Sequence, residues 1–367
     1  MQLIIIFIDN MVNNYYYGHS RNNFKYIGGF SVLKKGNMTK TRMGWVLSTL
    51  ILIMIVAGCG SNNNNSANVS NKGSNDAVGT EQSSDQVRTI KHAMGDTEIK
   101  GTPQRVVVLT NEGTEAVLAL GIKPVGAVKS WTGSPWYDHI AKDMEGIQEL
   151  GEEGQPNLEL IAGLQPDLII ANKMRHEEIY EQLKAIAPTV ESETLRGDWK
   201  INFKLYAEAL GKSEEADKQL AAFDTRVEDF KAKAGDKLKE TVSVVRFMAG
   251  KTRVYHADTF SGIIFDQIGI ARNDMTLNSK ETFVDEITKE RLPEVDAHRL
   301  FYFTYDTGDG KANDTEKEWV NDPLWKGLSA VKEGRVYRVD DAIWNTAGGI
   351  KAANLVLDEL YIIYDVK

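Results

Sequence analysis

The stretch RVVVLTNEGTEAVLALGIKPVGAV, residues 105–128, changes character twice in a short span. Arg105-Val106-Val107-Val108-Leu109 is an unbroken apolar run rich in β-branched residues, the pattern of a buried strand. Glu115-Ala116-Val117-Leu118-Ala119-Leu120 reads as a helix, and Gly121 stops it. Pro124 to Val128 supplies a second strand. Short apolar strands alternating with helices argue for α/β architecture.

The alternation continues outward from there. Leu158 to Leu164 reads as a helix leading through Pro166 into a strand at Asp167-Leu168-Ile169-Ile170. His176 to Ile186 is a further helix, closed by Ala187-Pro188. Next comes a stripe: Ala216, Leu220, Phe223, Val227 and Phe230 are spaced four, three, four and three apart. A helix from Ser213 to Ala234 would run roughly 33 Å at 1.5 Å per residue. It is expected to lie across two lobes, because strands resume beyond it at 242–247, 253–255, 300–304 and 335–339. Ile263 to Ile268 is helical up to Gly269, and Ala352 to Tyr361 is the closing helix. The expected divisions are a lobe at 87–198, an interlobe region at 199–236 and a second lobe at 237–367. Clefts between such lobes are favoured ligand sites.

The apolar share of 42% can fill a real core, and the chain carries a net charge of -9. Residues 1–58 hold six Lys and Arg against one acidic residue, so the rest is more acidic still. That balance argues against nucleic acid as a partner, since phosphate binding requires a basic footprint. Cys59 is the only cysteine, which excludes an internal disulfide. It follows Lys40 and Arg42, an apolar run from Met43 to Ala57, and Val56-Ala57-Gly58. This looks like a bacterial lipoprotein signal over 38–58, with Cys59 diacylated and the lipids providing stable anchorage. The run is shorter than the roughly 20 residues that a membrane span needs. Residues 59–86 are the lipidated cysteine and a tether of mostly Asn, Ser, Gly, Asp and Gln, unable to build a core. Met38 opens a conventional signal, so residues 1–37 are expected not to be translated in the native protein.

Catalytic motifs do not emerge. None of the six histidines lies within four residues of another, and HExxH, GxSxG, P-loop and GxGxxG patterns are missing. Gly308-Asp309-Gly310 fails the ligand spacing of a calcium loop. The expectation is a binding protein, with no enzyme activity and no metal held by protein ligands. Basic and aromatic residues do gather where strands end. Lys129, Trp131 and Trp136 follow the strand at 124–128, and Lys173 and Arg175 follow that at 167–170. Arg246 ends the strand beginning at Val242, Arg253 lies past the next turn, and Tyr305 and Trp344 follow later strands. Trp199 leads into the interlobe helices. Carboxyl ends of strands face the ligand crevice in open α/β domains, and the arginine fork suits a carboxylate. These ten residues are the candidate ligand contacts. The plainer alternative for a tryptophan is a core edge, and for a lone arginine a local ion pair.

Five ordered segments carry a family resemblance: TIKHAMG at 89–95, LALGIKPVGAV at 118–128, QPDLII at 165–170, RHEEIYEQL at 175–183 and IAPTV at 186–190. From Val87 onward the chain resembles the substrate-binding lipoproteins of iron-siderophore ABC importers, the class that includes the vitamin B12-binding protein. VVVLTNEGTEA at 106–116 and the WTG preceding PWYDHI look most like the ferric-citrate-binding branch. The resemblance implies a bilobed class III periplasmic-binding-protein fold, two parallel-sheet lobes bridged by one long helix, with small lobe movement. It implies a monomer, lipid-anchored through Cys59 on the extracellular face of the cell membrane of a Gram-positive bacterium. Its role would be to capture ferric citrate or a citrate-type siderophore and deliver it to the transmembrane subunits of an ABC permease driven by a cytoplasmic ATPase. Iron would travel as a chelate, without a cofactor or protein ligands. One glutamate per lobe is implied to dock on the permease: Glu159 in NLELI and Glu290 in ITKERLP. By themselves both read as ordinary glutamates near a helix start. A mixed citrate-hydroxamate or catecholate ligand, or a ligand sensor that does not transport, stands as the alternative.

Overall fold

The computed structural model describes residues 87–195 and 197–366. The expected signal, Cys59, the tether and residues 1–37 lie outside them. All described residues fall in one compact unit, Ala77–Lys367. None of their helices is long and apolar enough to cross a membrane.

The strands β1 (Val87–His92) and β2 (Gly95–Lys100) form an antiparallel hairpin. The first lobe is built on β3 (Val106–Val108), β4 (Gly126–Ala127), β5 (Gln148–Glu149), β8 (Leu168–Asn172) and β9 (Thr189–Ser192). The order is β5-β4-β3-β8-β9 and every pair is parallel. Between β5 and β8, a short ribbon of β6 (Gly151–Glu152) and β7 (Gln155–Pro156) carries the chain into the Leu158–Gly163 helix. Val106, Val107 and Val108 are fully buried, as their unbroken apolar run requires. Gly126 lets the strand pack closely, since a Cβ there would stand 2.5 Å from Leu164 Cδ1 and force that side chain to shift.

The first helix spans Asn111–Ala119 and so begins earlier than the apolar pattern indicated. Thr110 caps it by accepting the Gly113 N–H at 3.0 Å. Its opening turn escapes pattern reading because the buried residues there, Asn111, Glu112, Thr114 and Glu115, are polar. The expected helix at 176–186 is broken into a Lys173–His176 turn, a 3-10 turn and the helix Tyr180–Ile186.

The long helix Ser213–Ala234 buries Ala216, Leu220, Phe223, Val227 and Phe230, the stripe spaced for one face. Each large apolar side chain so buried contributes roughly 1.5–3 kcal/mol. Gln219 Nε2 donates to the Ala119 carbonyl of the first lobe at 2.8 Å. Arg226 reaches Asn354 Oδ1 at 2.5 Å and also pairs with Asp358, both on the closing helix Ile350–Ile363. One apolar core runs from Val106 and Val108 through this helix to Phe301 and Leu357, joining the lobes.

The second sheet comprises β10 (Val242–Met248), β11 (Lys251–Tyr255), β12 (Val284–Glu286), β13 (Arg299–Thr304) and β14 (Val336–Arg338), ordered β12-β11-β10-β13-β14. β10, β13 and β14 are parallel, whereas β11 alone runs antiparallel, to both of its neighbours β10 and β12. The expected all-parallel second lobe is therefore a mixed sheet. Only Ala249 and Gly250 separate β10 from β11, too few for a parallel crossover, and Gly250 takes the turn at φ +69°.

Candidate functional site

The carboxyl ends of β3, β4 and β8 in one lobe, and of β10, β13 and β14 in the other, carry the polar groups of the site. In the first lobe, Arg175 lies on the turn that follows β8, and its Nε donates to Glu153 Oε1 at 3.1 Å. Its guanidinium stands 5.9 Å from the centre of the Trp131 ring. Glu153 is itself buried, and its Oε2 accepts the Asn111 backbone N–H at 3.0 Å and Nδ2 at 2.9 Å. A carboxylate at a helix N-terminus satisfies an orphan donor and meets the positive end of the dipole. His176 completes the cluster: Nε2–H donates to the Glu153 carbonyl at 2.8 Å while Nδ1 accepts the Asn172 N–H at 3.1 Å. Burial lowers the His176 pKa, against the opposing bond to the Glu153 backbone, which suits the neutral tautomer these bonds require.

The second lobe repeats the device. Arg246, 7% exposed, places Nε 2.7 Å from Asp341 Oδ1, donates from Nη2 to Asp341 Oδ2 at 2.9 Å, and donates from Nη1 to Tyr255 Oη at 2.9 Å. The Tyr305 ring centre lies 4.5 Å from the same guanidinium. Burial disfavours that charge, but Asp341 and Tyr255 outweigh it and raise the Arg246 pKa. Arg253 sits opposite Arg246 in the β10–β11 register, so both point to one face of the sheet. Its Nε is 4.0 Å from Glu286 Oε2.

Tyr137 lies within the electrostatic reach of both clusters. It is 1% exposed, and burial pushes its hydroxyl well above the usual tyrosine pKa; Thr346 opposes this, while Glu153 and Asp341 both push it further. The carboxylates that hold the two arginines, one from each lobe, therefore both act on a single phenol. A cavity of about 500 Å³ opens on this side, lined by Thr132, Gly133, Tyr137, Asp138 and His139 of the first lobe and by Asp340, Ala342 and Ile343 of the second. The lobes approach closely behind it. Glu115, fully buried, meets His139 Nε2 at 2.5 Å and accepts the Ala352 N–H at 2.8 Å, and a Cβ on Gly349 would stand 2.6 Å from Glu115 Cβ.

The remaining expected contacts divide. Lys129 pairs with Glu152 at 3.0 Å and Lys173 with Glu193 at 2.9 Å, both near the surface. Trp131 is half-buried beside Arg175, and Trp136 packs into the core at 7% exposure. Trp199 and Trp344 are corrections: both belong to the core and not to the cleft. Trp199, 1% exposed, meets Phe223 and Phe260 edge-on. The turn Ala342–Thr346 folds Trp344 inward, where it stacks on Phe301 at 4.9 Å and donates from Nε1 to Glu359 Oε2 at 2.6 Å. Glu159 and Glu290 are exposed at the start of short helical segments. Sequence reasoning missed Glu153, Asp341, Asn111, Tyr255 and Tyr137. Nothing in a local pattern marks a carboxylate that will be buried opposite an arginine. Among the described residues, no group of three or more His, Cys, Asp or Glu converges to hold a metal.

A family profile described as "Periplasmic binding protein" matches residues 106–343. The chain belongs to the periplasmic binding protein family. It is 48% identical over 328 residues to the "Probable siderophore-binding lipoprotein YfiY" of Bacillus subtilis (strain 168), covering 88% of this chain and 97% of that one. It is 32% identical over 312 residues to the "Fe(3+)-citrate-binding protein YfmC" of the same organism, covering 84% and 92%. Among solved structures, that of Staphylococcus aureus SirA complexed with staphyloferrin B superposes with a TM-score of 0.70 at 39% identity, covering 76% of this chain and 99% of that one. The fold is the bilobed class III form of the family, with the second sheet mixed.

Proposed function

We propose that this protein captures a ferric complex of an anionic, carboxylate-rich chelator outside the cytoplasm and delivers it to an ABC permease. The observation that carries this reading is the pair of arginine–carboxylate clusters, Arg175–Glu153 and Arg246–Asp341, at the strand ends of opposite lobes. The names of the similar proteins, siderophore-binding and Fe(3+)-citrate-binding, point the same way. The greater identity to the siderophore-binding relative favours a siderophore over ferric citrate itself.

The chemistry is binding without bond making. A buried guanidinium held by its own carboxylate is already oriented, so an incoming ligand carboxylate meets a fixed fork. Trp131 and Tyr305 present aromatic faces beside those forks and shield them from water. Iron stays inside its chelate shell, and the protein supplies charge and shape. Arg253 and the more exposed Lys129 and Lys173 add positive charge around the mouth. Glu159 and Glu290 provide the permease-docking points, and Cys59 carries the lipid anchor of a monomeric lipoprotein.

Tryptophan-fluorescence titration tests the reading, with ferric complexes of citrate, citrate-hydroxamate and catecholate chelators compared. Saturable quenching by the carboxylate chelates is expected. No binding by any ferric chelate would overturn it.

A further inference from the structure

A continuous run of contacts joins the two arginine clusters, and the side chain of Glu115 carries it across the lobes. In the first lobe, Arg175 is held by Glu153, and Glu153 by Asn111 at the start of the first helix. One turn further along that helix stands Glu115, fully buried. Its Oε1 lies 2.5 Å from His139 Nε2, and its Oε2 accepts the Ala352 N–H of the second lobe at 2.8 Å. From Ala352 the chain leads back through Ile350, Ala347 and Trp344, all buried, to Asp341, which holds Arg246.

Several features mark this junction as built around Glu115. The closing helix Ile350–Ile363 starts after Gly349 and has no side-chain cap of its own. Glu115 supplies one from the other lobe, satisfying a first-turn N–H and meeting the positive end of the helix dipole. Gly349 makes room for it, since a Cβ there would stand 2.6 Å from Glu115 Cβ and 2.7 Å from its Oε2. Lys351 Nζ donates to Asp143 Oδ2 at 3.1 Å, a second link from the same helical turn to the first lobe. His139, the other partner of Glu115, stacks on Tyr137 with centroids 5.7 Å apart, and both rings line the interlobe cavity.

We infer that Glu115 is a positioning residue for chelate binding: it fixes the closing helix to the first lobe and so sets the separation at which Arg175 and Arg246 face one chelate. The inference rests on the ferric-chelate reading and deepens it. Glu115 acts through the carboxylates that hold the guanidiniums and not on the ligand. A buried carboxylate engaged by two elements resists displacement, because moving either element strands a desolvated charge. A shift of about 1 Å in one cluster is enough to spoil simultaneous contact with both.

The test measures dissociation constants by tryptophan fluorescence for ferric citrate and for the ferric complex of a citrate-hydroxamate chelator, with folding checked by urea melts. Glu115→Ala is compared with Glu115→Gln, which keeps an acceptor for the Ala352 N–H. Gly349→Ala is the second probe, because it keeps the carboxylate but wedges the helix away from it. Glu115→Ala and Gly349→Ala are each expected to weaken binding at least about tenfold, with Glu115→Gln recovering most of that loss. Hydrogen exchange across residues 350–356 quickens in the two weakened variants. The deciding readout is non-additivity. Once Arg175→Gln leaves a single cluster, spacing no longer matters, so adding Glu115→Ala or Gly349→Ala costs less than about threefold. A purely structural role predicts the same loss in both backgrounds. That result, or wild-type affinity in the folded variants, overturns the inference and leaves the ferric-chelate reading standing. If Glu115→Ala does not fold, Gly349→Ala decides alone. Failure of both chelates to bind the folded wild type overturns the inference and the reading together.

Discussion

Arg246 and Asp341 meet through two contacts, 2.7 Å at Nε and 2.9 Å at Nη2, although 95 residues separate them in the chain. The pair is almost fully buried. Such a pair adds little net stability over an apolar substitute, but breaking it strands a charge. Its value lies in fixing where a guanidinium points.

Asp341→Ala should therefore cost about 3–5 kcal/mol of folding stability, because Arg246 keeps its charge without its counterion. Urea unfolding should show a lower midpoint with an unchanged slope. A midpoint equal to that of the wild type would show that Arg246 is solvated by other means.

Arg175→Ala acts differently. Arg175 is partly exposed, and Glu153 keeps its two bonds from Asn111 when the guanidinium is removed. Stability should change little, while affinity for a ferric carboxylate chelate should fall by about 1–3 kcal/mol. Fluorescence titration beside a urea melt separates the two effects.

The correction at Trp344 gives a contrast with Trp131. Trp344→Ala should destabilise by about 3–5 kcal/mol, since it empties the space beside Phe301 and Phe265. Trp131→Ala should leave the melt nearly unchanged and remove much of the ligand-induced quenching.

Glu191 predicts a pH dependence. It is fully buried, neither carboxylate oxygen has a hydrogen-bond partner, and burial, with Glu177 adding, pushes its pKa up to about 7 from 4.5. Because the folded value is raised, its favourable contribution is complete below about 4.5 and is lost as pH rises through 7. Glu191→Gln should raise stability more at pH 8 than at pH 5. Equal gains at both values would show that the carboxylate is solvated when folded.

Charge reversal of Glu159 and Glu290 should abolish uptake of radiolabelled iron by cells while leaving the affinity of the purified protein for the chelate intact. Uptake that survives both reversals would place the docking faces elsewhere.

The architecture was legible where burial follows periodicity. The Val106–Val108 run and the Ala216-to-Phe230 stripe are buried because apolar spacing matches the strand and helix repeats. The site was legible only as far as charge at strand ends can show it. Arg175 and Arg246 stood out, whereas Glu153 and Asp341 did not, because burial of an acid depends on a partner distant in sequence. The buried polar turn at Asn111 to Glu115 hid a helix start for the same reason. Trp199 and Trp344 misled because an aromatic at an element's end serves a core edge as readily as a ligand.

The central claim is that guanidiniums from both lobes hold the acidic shell of a ferric chelate. Its most direct test is the dissociation constant of a ferric citrate-type chelate for the wild type and for the folded double variant Arg175→Gln/Arg246→Gln. The account predicts saturable binding that weakens at least about thirtyfold in the variant, two charge-assisted contacts being lost. An unchanged constant would contradict it.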